Sequence, residues 1–244
     1  MTVSGLTPHP GPPALVLVAH GSRDPRALTT VRALADRVGA LRPGLSVRLG
    51  HIELNEPLLP DALAALGGAP AVLVPLLLGR GHHVKRDIPR AAAAARAVTR
   101  LAAPLGPHPL LVDVLHDRLL EVGWRPRPAG GVVLAAAGSR DPDAAADTGR
   151  TAGLLAARLG VPVLAAYASA AAPTVPDAIG ALRARGRHRI ALASYFTAPG
   201  RFATECAAHA PWLAAAPLGA HRAMADLVLH RYDRSCSAPL TAAA

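Results

Sequence analysis

The chain of 244 residues is 51% hydrophobic and 17% charged, which excludes a disordered chain and allows one or two domains with a sizeable core. No apolar run approaches the length of a membrane span, and we expect no signal peptide because the N-terminus is broken by prolines. The net charge of +10 comes with only 3% aromatic residues and no dense basic run, so we expect neither a nucleic-acid partner nor a membrane. Two cysteines outside any C-x-x-C pair favour a reducing, cytoplasmic location.

Short apolar runs alternate with helix-forming stretches along the first half of the chain. "ALVLVA" (14–19) predicts a buried parallel strand, and Asp24 followed by Pro25 predicts the start of a helix over about 25–40. The further predicted elements are a strand at 45–53, a helix at 57–66, a strand at 71–78 and an alanine-rich helix at 88–103. This alternation predicts a parallel sheet with right-handed crossovers.

The second half of the chain repeats the first. The pentapeptide GSRDP occurs at 21–25 and at 138–142, and "PLLPDALAAL" (57–66) returns as "PTVPDAIGAL" (173–182). A weaker third pair follows in the same order, and the three displacements are 117, 116 and 119 residues. We therefore predict an α/β protein of two similar lobes, each a small parallel sheet flanked by helices, related by internal duplication. The predicted strands of the second lobe are 131–137, 161–167 and 189–195.

The duplication also predicts the boundaries. We expect an N-terminal lobe at 14–122, a Pro/Gly-rich linker at 123–131, a C-terminal lobe at 132–232, and flexible tails at 1–13 and 233–244. A duplicated half makes its own pseudo-twofold cleft, so we expect one chain to be the working unit, as a monomer or weak homodimer.

Polar side chains follow three neighbouring strands of the first lobe. If the strand order begins 2-1-3, the carboxyl ends of these strands bring together His20, Glu53 and the adjacent pair His82 and His83. Two imidazoles and a carboxylate predict a divalent-metal site with open positions, without selecting the metal. We expect His82 to point away from His83, and His51, on the same strand face as Glu53, to have at most a supporting role.

The turn after the first strand has the features of an anion site. Gly21 permits a tight turn, and the backbone N–H groups of Ser22 and Arg23 are expected to be free at the start of the helix. The Arg23 guanidinium suits a carboxylate or phosphate, although it could equally tie the loop down, and Lys85 lies two residues beyond His83. We predict that Ser22, Arg23 and Lys85 bind an acidic substrate.

The motifs "VAHGSRDP", "HIELNEP" and "VPLLLGRGHHVKRDIP" together resemble those of the sirohydrochlorin chelatases, a group of class II tetrapyrrole chelatases, and "ASYFTAPGRF" is similar to that family's C-terminal lobe. The resemblance implies ATP-independent insertion of Fe²⁺ or Co²⁺, as a substrate, into an acidic tetrapyrrole for sirohaem or cobalamin synthesis, with no organic cofactor. It implies that His20 and His83 bind the metal and act in catalysis with Glu53.

In the second lobe these three positions are occupied by Ala137, Ser169 and Phe202, so the predicted metal site lies in the first lobe alone. Two alternatives remain at this point. One is a non-catalytic metal or tetrapyrrole carrier that uses the same cleft. The other is a phosphate-handling α/β enzyme, which leaves His83 and Glu53 without a role and lacks a P-loop pattern.

Overall fold

The computed structural model describes residues 11–237, which contain two four-stranded parallel sheets. The strands of the first are β1 (Ala14–Ala19), β2 (Val47–His51), β3 (Ala71–Pro75) and β4 (Thr99–Leu101). Those of the second are β5 (Gly130–Ala136), β6 (Val163–Tyr167), β7 (Arg189–Tyr195) and β8 (Leu213–Ala214). The strand orders are β2-β1-β3-β4 and β6-β5-β7-β8, so both sheets have the predicted topology.

Eight α-helices connect and cover these strands in the described part of the chain. Asp24 and Asp141 cap two of them, each followed by a proline whose missing N–H costs nothing in the first turn. Within residues 11–237, none of the helices combines the length and the apolar character that crossing a bilayer requires. The helices are α1 (Pro25–Leu41), α2 (Leu59–Ala64), α3 (Ile88–Ala94), α4 (Pro109–Glu121), α5 (Pro142–Leu159), α6 (Val175–Ala184), α7 (Arg201–Ala208) and α8 (Arg222–Ser237), and a π-helical turn, His83–Asp87, precedes α3.

The strand registers confirm the duplication residue by residue. Ala14 pairs with Ala71 in the first sheet, and the counterpart of Ala14, Gly131, pairs with Ile190 in the second. Equivalent pairs join β1 to β2 and β5 to β6. These registers reproduce the displacements of 117, 116 and 119 residues seen in the sequence. The loops after these strands keep the same correspondence, because the Glu53 N–H donates to the His20 carbonyl as the Ser169 N–H donates to the Ala137 carbonyl. The Lys85 N–H likewise donates to the Gly81 carbonyl as the Thr204 N–H donates to the Gly200 carbonyl, which aligns His83 with Phe202.

The two sheets share a single layer of helices. Their inner faces pack on α1, α4, α5 and α8 in one continuous core, while α2 and α3 cover the outer face of the first sheet and α6 and α7 that of the second. Because both faces of the central strands are buried, their sequences are continuously apolar instead of alternating.

The last helix of each half packs away from its own sheet. Helix α4 follows the first sheet in sequence but packs on α5 and β7, whereas α8 follows the second sheet and packs on α1 and β3. All four inner helices lie in one layer, so each half's last helix can reach the opposite sheet. The predicted segments 14–122 and 132–232 thus contain one sheet each, but their helices are exchanged.

The linker expected at 123–131 ends at residue 129, because β5 begins at Gly130. Two other predicted segments form a different kind of structure. The helix expected over 88–103 ends at Ala94, and β4 follows, because pairing with the edge of β3 outweighs the helix propensity of the alanines. Residues 233–237, expected to be part of a flexible tail, continue α8, where Asp233 accepts a 2.8 Å hydrogen bond from Arg42. The remaining parts of the expected tails are 1–13 and 238–244. Of these, 1–10 and 238–244 lie outside the described residues.

Candidate metal-binding cleft

The carboxyl ends of the central strands in both sheets open onto one cleft of about 1250 Å³. The two GSRDP turns line it, together with the segments that follow β3 and β7. This is the place where open parallel sheets bind their ligands. The volume is larger than that of a typical site for a drug-sized molecule, and it suits a macrocycle.

The two imidazoles predicted as metal ligands lie face to edge in this cleft. The ring centroids of His20 and His83 are 4.6 Å apart, and their planes are inclined at 86°. Their side chains are 44% and 35% exposed, so both rings remain accessible from the cleft. The strand order β2-β1-β3 brings them together, because the segments after β1 and β3 emerge side by side.

Asp87 holds the ring of His83. The His83 Nδ1 atom lies 2.6 Å from Asp87 Oδ2, across the π-helical turn. Since a carboxylate accepts hydrogen bonds, this contact favours the neutral tautomer with its proton on Nδ1, in which the Nε2 lone pair is available to a metal or a proton. Sequence reasoning missed Asp87, although its four-residue spacing from His83 in "HVKRD" is a signal that could have indicated it.

Glu53 lies beside His20, at one side of the imidazole pair. Its Oε1 atom lies 3.6 Å from His20 Nδ1, and its side chain is 53% exposed. Among residues 11–237, no group of three or more His, Cys, Asp or Glu side chains is gathered closely enough to hold a metal ion. The structure therefore brings two histidines together with a carboxylate beside one of them, but the expected three-ligand set is not assembled.

Two further histidines, His82 and His51, lie near the imidazole pair and differ in their surroundings. The side chain of His82 is 73% exposed, and its ring centroid lies 6.2 Å from that of His83. His51 is buried, and burial lowers its pKa, so its neutral ring donates a 3.2 Å hydrogen bond from Nδ1 to the Pro57 carbonyl. His51 thus ties down the loop after β2.

The turn at Gly21 is not the free anion site that the sequence suggested. The Ser22 N–H donates to Asn55 Oδ1 at 2.7 Å, and Ser22 Oγ accepts from the Asp24 N–H at 3.1 Å. The expectation of a free Ser22 N–H is therefore wrong, because a side chain from the loop after β2 already occupies it. Sequence reasoning missed Asn55, whose only signal is that Ala171 replaces it in the second lobe.

The predicted substrate-binding cations separate in the structure. Arg23 is exposed on the wall of the cleft. Lys85 lies outside the residues that line the cleft, and its Nζ atom lies 2.7 Å from Asp141 and 2.8 Å from Asp143. These hydrogen bonds raise the pKa of Lys85. Lys85 therefore links the two lobes, and the structure gives it no contact with the space a substrate would occupy.

The chain is similar to known proteins in both sequence and fold. The family model described as CbiX matches residues 14–122 and again 131–235. A sirohydrochlorin cobaltochelatase of Methanococcus maripaludis is 36% identical over 80 residues, which are 32% of this chain and 56% of that protein. A chloroplastic sirohydrochlorin ferrochelatase of Arabidopsis thaliana is 35% identical over 113 residues, 43% of this chain and 50% of that protein. The chain thus spans about half the length of these relatives.

Solved structures share the whole architecture. SirB from Bacillus subtilis, solved with Fe³⁺, has a TM-score of 0.76 and 24% identity, over 93% of this chain and 96% of that one. The strand order and the cleft define a two-lobed α/β protein whose two parallel sheets open onto one shared site. More particularly, the chain belongs to the CbiX family, since the family model covers both halves of it. The family resemblance of the sequence motifs is confirmed.

Proposed function

We propose that this protein is an ATP-independent sirohydrochlorin chelatase that inserts Fe²⁺ or Co²⁺ into the macrocycle. The observation that carries the proposal is the pair of facing imidazoles, His20 and His83, in a cleft of macrocycle size. The relatives' names support the substrate, and because both a cobaltochelatase and a ferrochelatase are among them, the proposal keeps both metals.

An incomplete set of protein ligands suits a metal that must be passed on. Two imidazoles leave several coordination positions open, and the macrocycle nitrogens can enter these positions while the histidines leave. Glu53 beside His20 would partly neutralise the dication as it arrives. A closed three- or four-ligand protein site would hold the ion more tightly and oppose its transfer.

Metal entry also requires two pyrrole N–H protons to leave the ring, so a base must lie beside the macrocycle centre. His83 offers its Nε2 lone pair because Asp87 holds the proton at Nδ1. His20 offers a second imidazole, with the Glu53 carboxylate 3.6 Å from its Nδ1 atom. Each histidine can serve as ligand or base, and the two roles can alternate during insertion.

The acidic side chains of such a substrate need cationic partners on the cleft walls. Arg23 of the first lobe and Arg201 of the second both line the cleft and are exposed. Their guanidinium groups suit carboxylates, so we propose that they hold the macrocycle from opposite walls. Ser22 shapes the turn that carries Arg23. The second lobe then serves as a wall without metal ligands.

The test is metal insertion by purified variants. His20→Ala and His83→Ala should each slow insertion of Fe²⁺ and Co²⁺ into sirohydrochlorin at least about a hundredfold, followed anaerobically by absorbance. Ala137→His should gain nothing, because its lobe lacks the other ligands. His209→Ala is the control, because His209 is an exposed histidine directly after α7. Wild-type rates in both single variants would refute the proposal, and a wild type that binds metal and macrocycle without accelerating their union would be a carrier.

A further inference from the structure

The loop that carries His82 and His83 belongs to the first lobe in sequence but is held by the second. We call residues 79–85 the histidine loop. At its start, Asp147 of α5 accepts three hydrogen bonds from Arg80, one from the backbone N–H at 3.1 Å and two from the guanidinium at 2.9 Å. A Cβ added at Gly79 would lie 3.6 Å from Ala144 Cα, so the loop backbone rests directly on α5.

The two ends of the histidine loop are fixed in the same way. Lys85, at its far end, binds Asp141 and Asp143 at the start of α5. Just before the loop, the Leu78 carbonyl accepts a 3.2 Å hydrogen bond from the buried Tyr195 hydroxyl at the end of β7. His82 and His83 therefore lie on a segment whose root and exit are both bound to the opposite lobe.

The charged contacts have no counterpart at the equivalent loop of the second lobe. By the strand registers, Asp143 and Asp147 replace Arg26 and Thr30 of the first lobe. Conversely, the second lobe has no basic residue at the positions equivalent to Arg80 and Lys85, which are Pro199 and Thr204. The charge pairing is therefore not a relic of the duplicated half. It arises where the loop with the metal-binding histidine meets the lobe without one.

The Arg80–Asp147 pair is rigid for electrostatic reasons. Asp147 is 1% exposed, and burial acts to raise its pKa, but the hydrogen bonds from Arg80 hold the pKa below its usual range. The carboxylate is thus charged and buried, and Arg150 gives it a further 3.0 Å hydrogen bond. A buried charge that loses its partner is strongly unfavourable, so the loop cannot swing away from α5 at low cost.

We propose that Asp147, acting through Arg80, is a positioning residue that sets the separation of His83 from His20. The second lobe then contributes to the metal site without contributing a ligand. This inference rests on the proposed metal site. It assigns a function to the acidic face of α5, which Asp141, Asp143 and Asp147 form. These carboxylates could not bind an acidic substrate.

The experiment measures Co²⁺ binding and loop protection together. Asp147→Asn should weaken the binding of Co²⁺ alone about tenfold by isothermal titration calorimetry. It should also speed hydrogen exchange at the amides of residues 79–85. Asp233→Asn is the matched control, because it removes another doubly hydrogen-bonded Arg–carboxylate pair, with Arg42, on residues that do not line the cleft. We expect that variant to bind Co²⁺ as the wild type does.

Two further variants keep the test decisive. Lys85→Met breaks only the partly exposed pairs at the loop exit, so it should fold even if Asp147→Asn does not, with a two- to threefold loss of Co²⁺ affinity. In a His83→Ala background, Asp147→Asn should cause no further loss of affinity.

Unchanged exchange and affinity in the two loop variants would overturn the proposal. A tenfold loss of Co²⁺ affinity on Asp147→Asn in the His83→Ala background would also overturn it. A wild type that binds Co²⁺ but inserts no metal would refute the proposed function and leave the positioning role in place.

Discussion

Gly21 lies where the turn after β1 passes closest to the loop that carries Glu53. Its φ is +101°, and a Cβ at this position would lie 1.8 Å from the Glu53 carbonyl oxygen, whereas ordinary contacts begin near 3.4 Å. In the variant Gly21→Ala the two loops must therefore separate by more than an ångström. Because His20 and Glu53 stand on these loops, the separation should reach the proposed metal site as well as the stability of the fold.

The magnitude follows from the contacts that would be lost. Placing a non-glycine residue at this φ costs about 1–3 kcal/mol. Separating the loops would also weaken the 3.0 Å hydrogen bond from the Glu53 N–H to the His20 carbonyl and the 2.7 Å bond from the Ser22 N–H to Asn55, each worth about 1 kcal/mol. We expect Gly21→Ala to lower the free energy of unfolding by about 3 kcal/mol and to weaken Co²⁺ binding.

The duplicated lobe supplies a matched control. Gly138 has a φ of +91°, and its added Cβ would lie 1.8 Å from the Ser169 carbonyl oxygen. Gly138→Ala should therefore cost a similar amount of stability, slightly less because Ala171 cannot make the bond that Asn55 makes, and it should leave Co²⁺ affinity unchanged. Urea denaturation and calorimetric Co²⁺ titration measure the two effects. Wild-type stability of Gly21→Ala would refute the steric reasoning, and equal losses of Co²⁺ affinity in both variants would refute a metal site confined to the first lobe.

Three further outcomes are expected. Asp147 has a lowered pKa in the folded state, so its stabilisation is complete above its usual pKa of 3.8 and is lost as the pH falls through the lower folded value. The difference in unfolding free energy between wild type and Asp147→Asn should thus be about 3 kcal/mol at pH 7 and shrink below about pH 4 in urea titrations. A constant difference at all pH values would contradict this. Asn55→Ala leaves the Ser22 N–H without its acceptor, so it should lower the free energy of unfolding by about 1 kcal/mol, measured by thermal unfolding. An unchanged unfolding midpoint would show that the hydrogen bond contributes nothing to stability. Tyr195→Phe removes a buried hydroxyl bonded to the Leu78 carbonyl and should cost about 1–2 kcal/mol, whereas a more stable variant would show that burying the hydroxyl outweighs its hydrogen bonds.

Local signals in the sequence determined most of the fold. The continuous apolar runs marked strands that are buried on both faces, and the Asp–Pro pairs at 24–25 and 141–142 marked the starts of α1 and α5. The internal repeat supplied what local signals lack, because three displacements of nearly equal length required two copies of one topology. With the strand order 2-1-3, a condition that the sequence did not establish and the structure fulfils, the residues after β1 and β3 emerge side by side, where His20 and His83 lie.

Only the tertiary structure decided the partners of the polar groups and the packing of the exchanged helices. Asn55 reaches the Ser22 N–H from 33 residues away, and Lys85 reaches Asp141 from 56 residues away. No sequence pattern predicts these contacts, since they depend on how loops from different strands and lobes approach one another. Helix α4 packs on the second sheet, and β4 replaces the end of an alanine-rich helix, for the same reason. Local propensity sets what a segment can form, and contacts between distant segments decide which form and which partner it takes.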